Sequence, residues 1–382
     1  MGNDTGLDME SAVREGETLS RRRLNRALLA RQHLLRRADM PALEAIEHLV
    51  GLQAQAPIPP YFGLWTRLNG FRPEDLGALL LSRQAVRIVL MRGTIHLVSA
   101  RDCLEMRPLI QPVLDRGLSS LLKGRLAGAD PAELAEVGRQ LVEERPLTFS
   151  ELGQALAPRW PDLDPAALGD AIRGLVPLVQ VPPRGIWGES GQAMHTSAER
   201  WLGKALNRGA SLEGLVLRYL RAFGPASVAD MQKWSGLTGL KRVVERLRPQ
   251  LLLFRDERGG ELFDVPDAPR PAAETPAPVR FLGEFDNMLL SYEDRTRILP
   301  RDYRSRVFTV NGIIRSAFLV DGFVRGLWRT EVKGGAARLV IEPFEELDRA
   351  DREALAEEGE GLLRFVAPDA ATREIAFQAE RR

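Results

Sequence analysis

The chain has 382 residues, a length at which a single hydrophobic core gives way to about two to four domains. Its composition is 44% hydrophobic and 27% charged, and the absence of an apolar run of about 18 residues predicts a soluble protein that does not span a membrane. The formal net charge of +1 excludes a histone-like polycation, so bulk charge alone gives no argument for nucleic acid.

The cysteine count and the composition of the N-terminus restrict the class of protein further. Cys103 is the only cysteine, which excludes an intrachain disulfide framework and a thiolate metal cluster, and we expect it to be a small buried hydrophobe. Residues 1–18 are rich in Gly, Asp, Glu and Ser and predict a disordered tail. The first residues contain no apolar segment, so we expect no secretory signal and a cytoplasmic location.

Residues 19–104 have the pattern of helices followed by a hairpin. Apolar residues at helical spacing predict helices that begin near Leu24, at Pro41 and near Pro73. The period then changes to two, which predicts a β-hairpin that turns at Arg92 and Gly93. This order predicts a first winged helix.

The same order recurs over residues 105–210. Thr148 and Asp164 are hydroxyl and carboxylate caps that predict the starts of two helices. Residues 179–181 and 185–188, separated by two prolines and an arginine, predict a second wing.

Residues 211–265 give the clearest winged-helix pattern on physical grounds. A recognition-type helix is predicted over Leu240–Leu247, and a hairpin is predicted between 251–254 and 261–264.

The C-terminal part differs from the three units in composition and in its secondary-structure pattern. Residues 266–279 are rich in Pro and Ala and predict an extended linker that holds the following element off the third unit. Residues 280–382 predict a β-rich domain with strands that include 307–313, and an acidic helix from about Asp348 to Phe365 closes it. The predicted fold class is therefore α+β and mainly helical, with three tandem winged-helix units followed by a β-rich C-terminal domain.

A cluster of arginines near the N-terminus leaves two interpretations open. It comprises Arg21, Arg22, Arg23, Arg26, Arg31, Arg36 and Arg37, while acidic residues crowd near the C-terminus. A locally basic surface can bind DNA on a near-neutral protein, but these arginines can equally form intramolecular ion pairs.

Gln53 and Gln55 are the strongest candidates for a site. They stand two residues apart at the end of the apolar stretch that begins at Pro41, just before Pro57 stops the predicted helix. Two neutral amides in that place can face a cleft, or they can simply cap the helix end or bond a loop carbonyl. The chain has no Walker phosphate loop, serine nucleophile elbow, zinc-spaced histidine pair or dinucleotide glycine fingerprint, so we expect no cofactor and no metal.

Three segments carry a family resemblance: 51–57, 60–65 and 91–98. Together they resemble the AlkZ/YcaQ-like (azinomycin-resistance) DNA glycosylases, bacterial enzymes built from tandem winged helices, and the similarity returns at 285–291 and 320–328. Residues 105–265 match the family in architecture alone.

The resemblance implies that the glutamine pair is catalytic. The family's related branch has Gln-x-Asp, whereas the Gln-x-Gln form of Gln53 and Gln55 is the pattern of the branch associated with bulky N7-alkylguanine adducts and interstrand crosslinks. A guanine alkylated at N7 is a cation that departs as a neutral molecule, so the protein need only place water and stabilise the developing sugar cation. Amide groups can serve both tasks.

The function that the resemblance implies is thus a monofunctional DNA glycosylase for cationic N7-alkylguanine. Unhooking of crosslinks and self-resistance to a DNA-alkylating natural product are the further expectations. The alternative is a non-catalytic tandem winged-helix protein such as a transcriptional regulator, which would not require the glutamine pair. The expected partner is duplex DNA carrying alkylated guanine, bound by a monomer in the cytoplasm at the nucleoid.

The candidate DNA-binding residues lie in the three units and in the family-like stretch that follows them. Those in the stretch are interpreted as interdomain or DNA-facing groups. The full set is Arg92, Thr94, His96, Arg184, Lys233, Lys241, Arg242, Asp286, Asn287 and Arg295.

Overall fold

A computed structural model describes residues 16–378. The N-terminal part consists of α1 (Arg21–Arg31), α2 (Ala42–His48), α3 (Pro59–Trp65), α4 (Pro73–Leu81), β1 (Thr18–Leu19), β2 (Leu52–Gln53), β3 (Ala85–Val89) and β4 (Ile95–Ser99). The predicted hairpin is confirmed, because β3 and β4 pair antiparallel in register from Ala85 opposite Ser99 to Val89 opposite Ile95.

The predicted helix from Pro41 to Pro57 is wrong in its second half. Helix α2 ends at His48, and the chain turns through Val50 and Gly51, both with positive φ, into the short strand β2. Gly51 has φ +86°, and a Cβ there would lie 3.0 Å from the Leu97 carbonyl oxygen of β4. The close approach of β4 therefore turns this segment into a strand, which helical periodicity could not reveal.

The second part contains α5 (Ala100–Lys123), α6 (Pro131–Glu144), α7 (Phe149–Leu156), α8 (Pro165–Leu175), α9 (Ala198–Leu202), β5 (Leu178–Gln180) and β6 (His195–Ser197). The predicted caps are confirmed: Thr148 and Glu151 form a capping box on α7, and Asp164 caps α8. Helix α5 was not predicted, and it runs through the expected boundary between residues 104 and 105.

The second wing pairs differently from the prediction. Strand β5 pairs with β6, not with residues 185–188, which form turns. Strand β5 also pairs with β3, so the first two predicted units share one sheet in the order β2-β4-β3-β5-β6. The reason is non-local: the open edge of the first hairpin is completed by the second region.

The third part contains α10 (Leu212–Phe223), α11 (Val228–Ser235), α12 (Leu240–Leu247), β7 (Leu252–Asp256) and β8 (Glu261–Asp264). The predicted helix Leu240–Leu247 and the hairpin after it are confirmed at these positions, and the recognition role of the helix stays a prediction. Strand β1, which begins at Thr18, pairs parallel with β7, and the backbone of Gly16 and Glu17 bonds β7, so the tail prediction is wrong for residues 16–18. Residues 1–15 of that tail lie outside the described residues.

The C-terminal part contains β9 (Arg280–Leu282), α13 (Asn287–Leu290), α14 (Arg304–Val307), β10 (Ala317–Val320), β11 (Phe323–Lys333), β12 (Ala336–Pro343), α15 (Arg349–Val366) and β13 (Thr372–Phe377). Its five strands form one sheet in the order β13-β12-β11-β10-β9, and the predicted acidic helix is α15. The strand predicted over 307–313 is wrong, because α14 ends there and the following loop makes a single bridge from Phe308 to Ile314.

The segment 266–279 does not hold the C-terminal part away from the third part. Its carbonyl oxygens accept hydrogen bonds from arginines of α1, including one of 2.6 Å from Arg26 Nε to Thr275. Beyond it, Tyr219 of α10 donates to the Ser291 carbonyl at 2.7 Å. The chain is thus a mixed α+β protein with a β-rich C-terminal sheet, and the winged-helix assignment of its three helix-and-hairpin parts stays a prediction. No helix within residues 16–378 is long and apolar enough to cross a bilayer.

The N-terminal arginines form intramolecular ion pairs. Within α1, Arg22 and Arg26 both bond Asp321, and Arg31 bonds the buried carboxylate of Asp264 at 2.7 Å. After α1, Arg37 bonds Glu358 of α15. Four of the seven clustered arginines therefore pair with carboxylates in distant parts of the fold. For these four, the interpretation as intramolecular ion pairs is confirmed.

A second buried ion pair joins the N-terminal and C-terminal parts. Arg67, which follows α3, donates from both terminal nitrogens to Asp286 at 2.8 and 2.9 Å. Asp286 also accepts from the Met288 amide at 3.0 Å and thereby caps α13. Because both side chains are buried, losing either partner would leave a charge without compensation.

We expect Asp286→Ala to lower the free energy of unfolding by about 3–5 kcal/mol, the scale for breaking a buried ion pair. Urea denaturation measures this. The control is Glu353→Gln, which removes the exposed Arg349–Glu353 pair and should cost about 1 kcal/mol or less. An Asp286→Ala protein as stable as the wild type but weak in DNA binding would instead support a DNA-facing role.

Candidate functional site

Gln53 is held by strand pairing and by an arginine. It lies in β2 directly opposite His96 of β4, so the two side chains share one face of the sheet. Its side chain is buried, and Oε1 accepts a hydrogen bond of 2.8 Å from Arg92 Nη2. The glutamines therefore do not cap a helix, and that alternative is wrong.

Gln55 leaves the sheet at the end of β2 and is exposed. Its Oε1 accepts from the Ile95 amide at 3.2 Å. The partners of both glutamines can only donate, so in each case the amide oxygen points inward. Within residues 16–378, the two amide nitrogens bond to no other group, and each oxygen keeps a second lone pair.

Arg92 links the first and third parts of the chain at the site. It occupies the turn between β3 and β4 with φ 58°, and its Nη1 donates to the Trp234 carbonyl at the end of α11. A Cβ on Gly236 would lie 3.1 Å from the Arg92 backbone, so only a glycine lets α11 end this close. Burial and the nearby Arg295 lower the pKa of Arg92 to about 10, which leaves it charged at neutral pH.

His96 is neutral and has a fixed tautomer. Its Nδ1 lies 2.9 Å from the Thr94 carbonyl oxygen, to which it must donate, so Nε2 faces Arg92 Nη2 at 3.4 Å as an acceptor. Burial, then the charge of Arg92, lower its pKa to about 3. His96 therefore supports Arg92 and is not a proton donor at neutral pH.

A cleft of about 430 Å³ lies next to the glutamine segment, which reaches the cleft wall at Ala56 and not at Gln53 or Gln55. Ala56, the neighbour of Gln55, lies on its wall with Phe62 of α3, Trp328 of β11 and Glu284. Glu284 is half-buried, burial raises the pKa of its carboxyl, and it forms no bond with another described residue. A cavity of this size fits a small aromatic ligand.

The basic residues predicted to bind DNA differ in their availability. Lys241 and Arg242 are exposed on α12 and have no ion-pair partner among residues 16–378. Lys233 lies 3.6 Å from Glu293, and Arg184 donates to the Gly191 carbonyl at 3.1 Å. The surface of α12 is thus the most accessible positive face among these candidates.

Two further candidates, Thr94 and Arg295, have internal contacts. Thr94 donates from Oγ1 to the Met91 carbonyl at 3.0 Å. Arg295 donates from Nε to Leu289 at 2.7 Å, lies over the Phe308 ring and is near enough to Arg92 to lower its pKa.

Asp286 and Asn287 are buried, which corrects their interpretation as DNA-facing groups and leaves the interdomain one. Asn287 Nδ2 donates to the Gly51 carbonyl at 2.7 Å, at the turn into β2. With Asp286 bound to Arg67, this contact makes the family-like stretch a support for the glutamine segment.

Arg87 and Glu284 were missed by sequence reasoning. Arg87 stands between Val86 and Ile88 in β3, where alternation predicts an outward-facing side chain, yet it is 2% exposed and bonds the Ala54 carbonyl at 2.7 Å. The turn at Gly185 packs against this side chain, since a Cβ there would lie 3.0 Å from Arg87 Cδ, and no local signal predicts that contact.

Comparison with known proteins gives the class of enzyme. The family model described as "DNA glycosylase AlkZ-like" matches residues 46–365. The chain belongs to the AlkZ-like DNA glycosylase family, and it is an enzyme that acts on N-glycosyl bonds in DNA.

One solved structure shows the same fold over nearly the whole chain. The DNA glycosylase AlkZ of Streptomyces sahachiroi superposes with a TM-score of 0.77 at 22% sequence identity, covering 95% of this chain and 100% of that one. No curated protein matches the sequence significantly.

The depressed pKa of His96 predicts that the protein loses stability in acid. Unfolded histidine titrates near 6.5 and folded His96 near 3, so the unfolded state binds the extra proton between these values. The stabilising contribution is therefore complete above about pH 6.5 and is lost as the pH falls towards 3. We expect His96→Gln to remove about 2 kcal/mol of the stability difference between about pH 7.5 and about pH 5.

Urea denaturation of both proteins at the two pH values measures this difference. The same acid dependence in wild type and variant would show that His96 is protonated in the fold.

Proposed function

We propose that this enzyme is a monofunctional DNA glycosylase that hydrolyses the N-glycosidic bond of cationic N7-alkylguanine. The observation that carries the proposal is the pair Gln53 and Gln55, whose amide oxygens are held by Arg92 and by the Ile95 amide. The enzyme acts as a monomer on duplex DNA, in the cytoplasm at the nucleoid, without a cofactor.

The chemistry of the pair suits a leaving group that is already charged. Neither amide titrates, and neutral His96 has its Nδ1 proton committed to Thr94, so these groups offer no proton for a neutral base. A cationic base needs none. The free lone pair on each amide oxygen can hold the attacking water, while each NH₂ group can donate to the substrate.

The charges around the pair suit a DNA strand. Arg92 and Arg295 place two guanidinium groups near Gln53, where they can attract the phosphates that flank the damaged nucleotide. The exposed Lys241 and Arg242 extend this surface along α12. DNA binding would thus rest on local charge although the chain is nearly neutral.

Bulky adducts and crosslinks are the proposed substrate range. The cleft that begins at Ala56 gives space for an alkyl group or a base, and the Gln-x-Gln form resembles the branch of the family associated with such lesions. Self-resistance to a DNA-alkylating natural product is the biological role that we propose.

Excision from a duplex containing one 7-methylguanine, followed by alkaline cleavage at the abasic site, tests this function. We expect release of 7-methylguanine and little release of uracil, because no group protonates a neutral leaving base. Gln53→Ala and Gln55→Ala should each lower the single-turnover rate by about 10²-fold while binding changes little. The double variant should be only slightly slower than the worse single variant.

Gln55→Glu separates the two tasks of the amide. It keeps an oxygen for the Ile95 amide and replaces the NH₂ donor by a second acceptor, so activity is retained if holding water is the main task and lost if donation is. Melting temperatures of the same preparations control for folding. Rapid uracil release, or fully active alanine variants, would contradict the mechanism.

Binding to an undamaged duplex should depend steeply on salt. Each neutralised phosphate contributes a slope of about 0.9 in a plot of log affinity against log salt. The double variant Lys241→Gln/Arg242→Gln should therefore lower the magnitude of this salt slope by about 2 without changing sequence preference. A tight, sequence-specific operator with a shallow slope would favour the transcriptional regulator.

A further inference from the structure

Arg87 is a buried cation without a carboxylate. Its side chain in β3 is 2% exposed, and Nη2 donates to the Ala54 carbonyl at 2.7 Å. Nε and Nη1 have no hydrogen-bond partner within residues 16–378. Burial and the charge of Arg184 lower its pKa to about 10, so at neutral pH the guanidinium remains charged.

Stability does not account for an arginine here. Arg31 and Arg67 are equally buried, but each is neutralised by a buried carboxylate. A buried charge with no such partner costs stability, and an apolar side chain of similar length would pack in the same strand at less cost. Residues that break such a rule tend to lie at functional sites.

The one hydrogen bond that Arg87 makes within residues 16–378 reaches the backbone between Gln53 and Gln55. The Ala54 amide donates to Ile95 in β4 at 2.7 Å, and the Ala54 carbonyl accepts from Arg87 in β3. That carbonyl belongs to the same planar peptide as the backbone nitrogen of Gln55. Its orientation therefore sets the direction in which Gln55 leaves the sheet.

We propose that Arg87 is a positioning residue for Gln55: through the Ala54 carbonyl it fixes the peptide that sets the direction in which Gln55 leaves the sheet, at the expense of stability. Arg92 then holds the side chain of Gln53, and Arg87 holds the backbone before Gln55. The inference rests on the proposed function for its effect on catalysis, but its effect on the backbone is independent of substrate.

The variant that tests the proposal is Arg87→Met, which keeps the length and removes the charge and the bond. The matched control is Arg107→Met in α5. Arg107 is 1% exposed, bonds the Gly174 carbonyl at 3.1 Å and likewise has no carboxylate partner within residues 16–378, but it does not contact the glutamine segment.

We expect Arg87→Met to match or exceed the wild-type melting temperature while its single-turnover excision of 7-methylguanine falls about tenfold to hundredfold, since small misplacements have effects of this size. Duplex affinity should not change. Arg107→Met should excise at the wild-type rate. In a Gln55→Ala background, Arg87→Met should add little, because both changes affect one unit.

Arg87→Lys keeps the charge and one donor, so it should restore part of the rate, and it gives a second test if the methionine variant does not fold. Excision at the wild-type rate by Arg87→Met would overturn the proposal. So would a loss of rate from Arg87→Met that is equally large in the wild type and in the Gln55→Ala background.

Hydrogen exchange keeps this result separate from the proposed function. The Ile95 amide bonds Gln55 Oε1, so it should exchange faster in Arg87→Met than in the wild type or in Arg107→Met. If the wild type does not excise 7-methylguanine but this exchange is faster, the proposed function fails and the positioning role stands. Unchanged exchange at Ile95 would overturn the positioning role whatever the activity.

Discussion

The buried ion pair of Arg67 and Asp286 fixes the C-terminal part against the segment that carries the glutamines. By capping α13, Asp286 also orients Asn287, whose amide reaches the Gly51 carbonyl across 236 positions of sequence. Gly51 is the turn that ends α2 and starts β2. The direction of Gln53 therefore depends on a carboxylate in the C-terminal part, and two hydrogen bonds from Arg67 offset the desolvation of that carboxylate.

Four of the buried and half-buried arginines form two pairs with different roles. Arg31 and Arg67 meet carboxylates and join parts of the fold. Within residues 16–378, Arg87 and Arg92 bond no carboxylate: their partners are carbonyl and amide oxygens and, for Arg92, also His96 Nε2, and both arginines contact the Gln-x-Gln segment. Positive charge thus remains uncompensated beside the site in a chain whose net charge is +1. Such a distribution suits an enzyme that must attract a phosphate backbone and then work through neutral amides.

Local signals in the sequence predicted much of the secondary structure. A cap and its partner lie three residues apart, as with Thr148 and Glu151, so the start of α7 is encoded in one short segment. Alternation predicted the β3–β4 hairpin, and helical periodicity predicted α12. The segments around the glutamine pair and the first hairpin were also sufficient to suggest the family, which the match over residues 46–365 confirms.

The sequence by itself therefore determined the local elements, the family and the two amides, because each of these is encoded within a few neighbouring residues. Tertiary structure alone decided that α2 stops at His48, that β5 completes the sheet of the first hairpin, and that Asp286 is buried. It also buried Arg87, which alternation predicts to be exposed, beside the peptide that precedes Gln55. These outcomes depend on contacts between distant segments, and periodicity within one segment holds no information about which other segment will cover it.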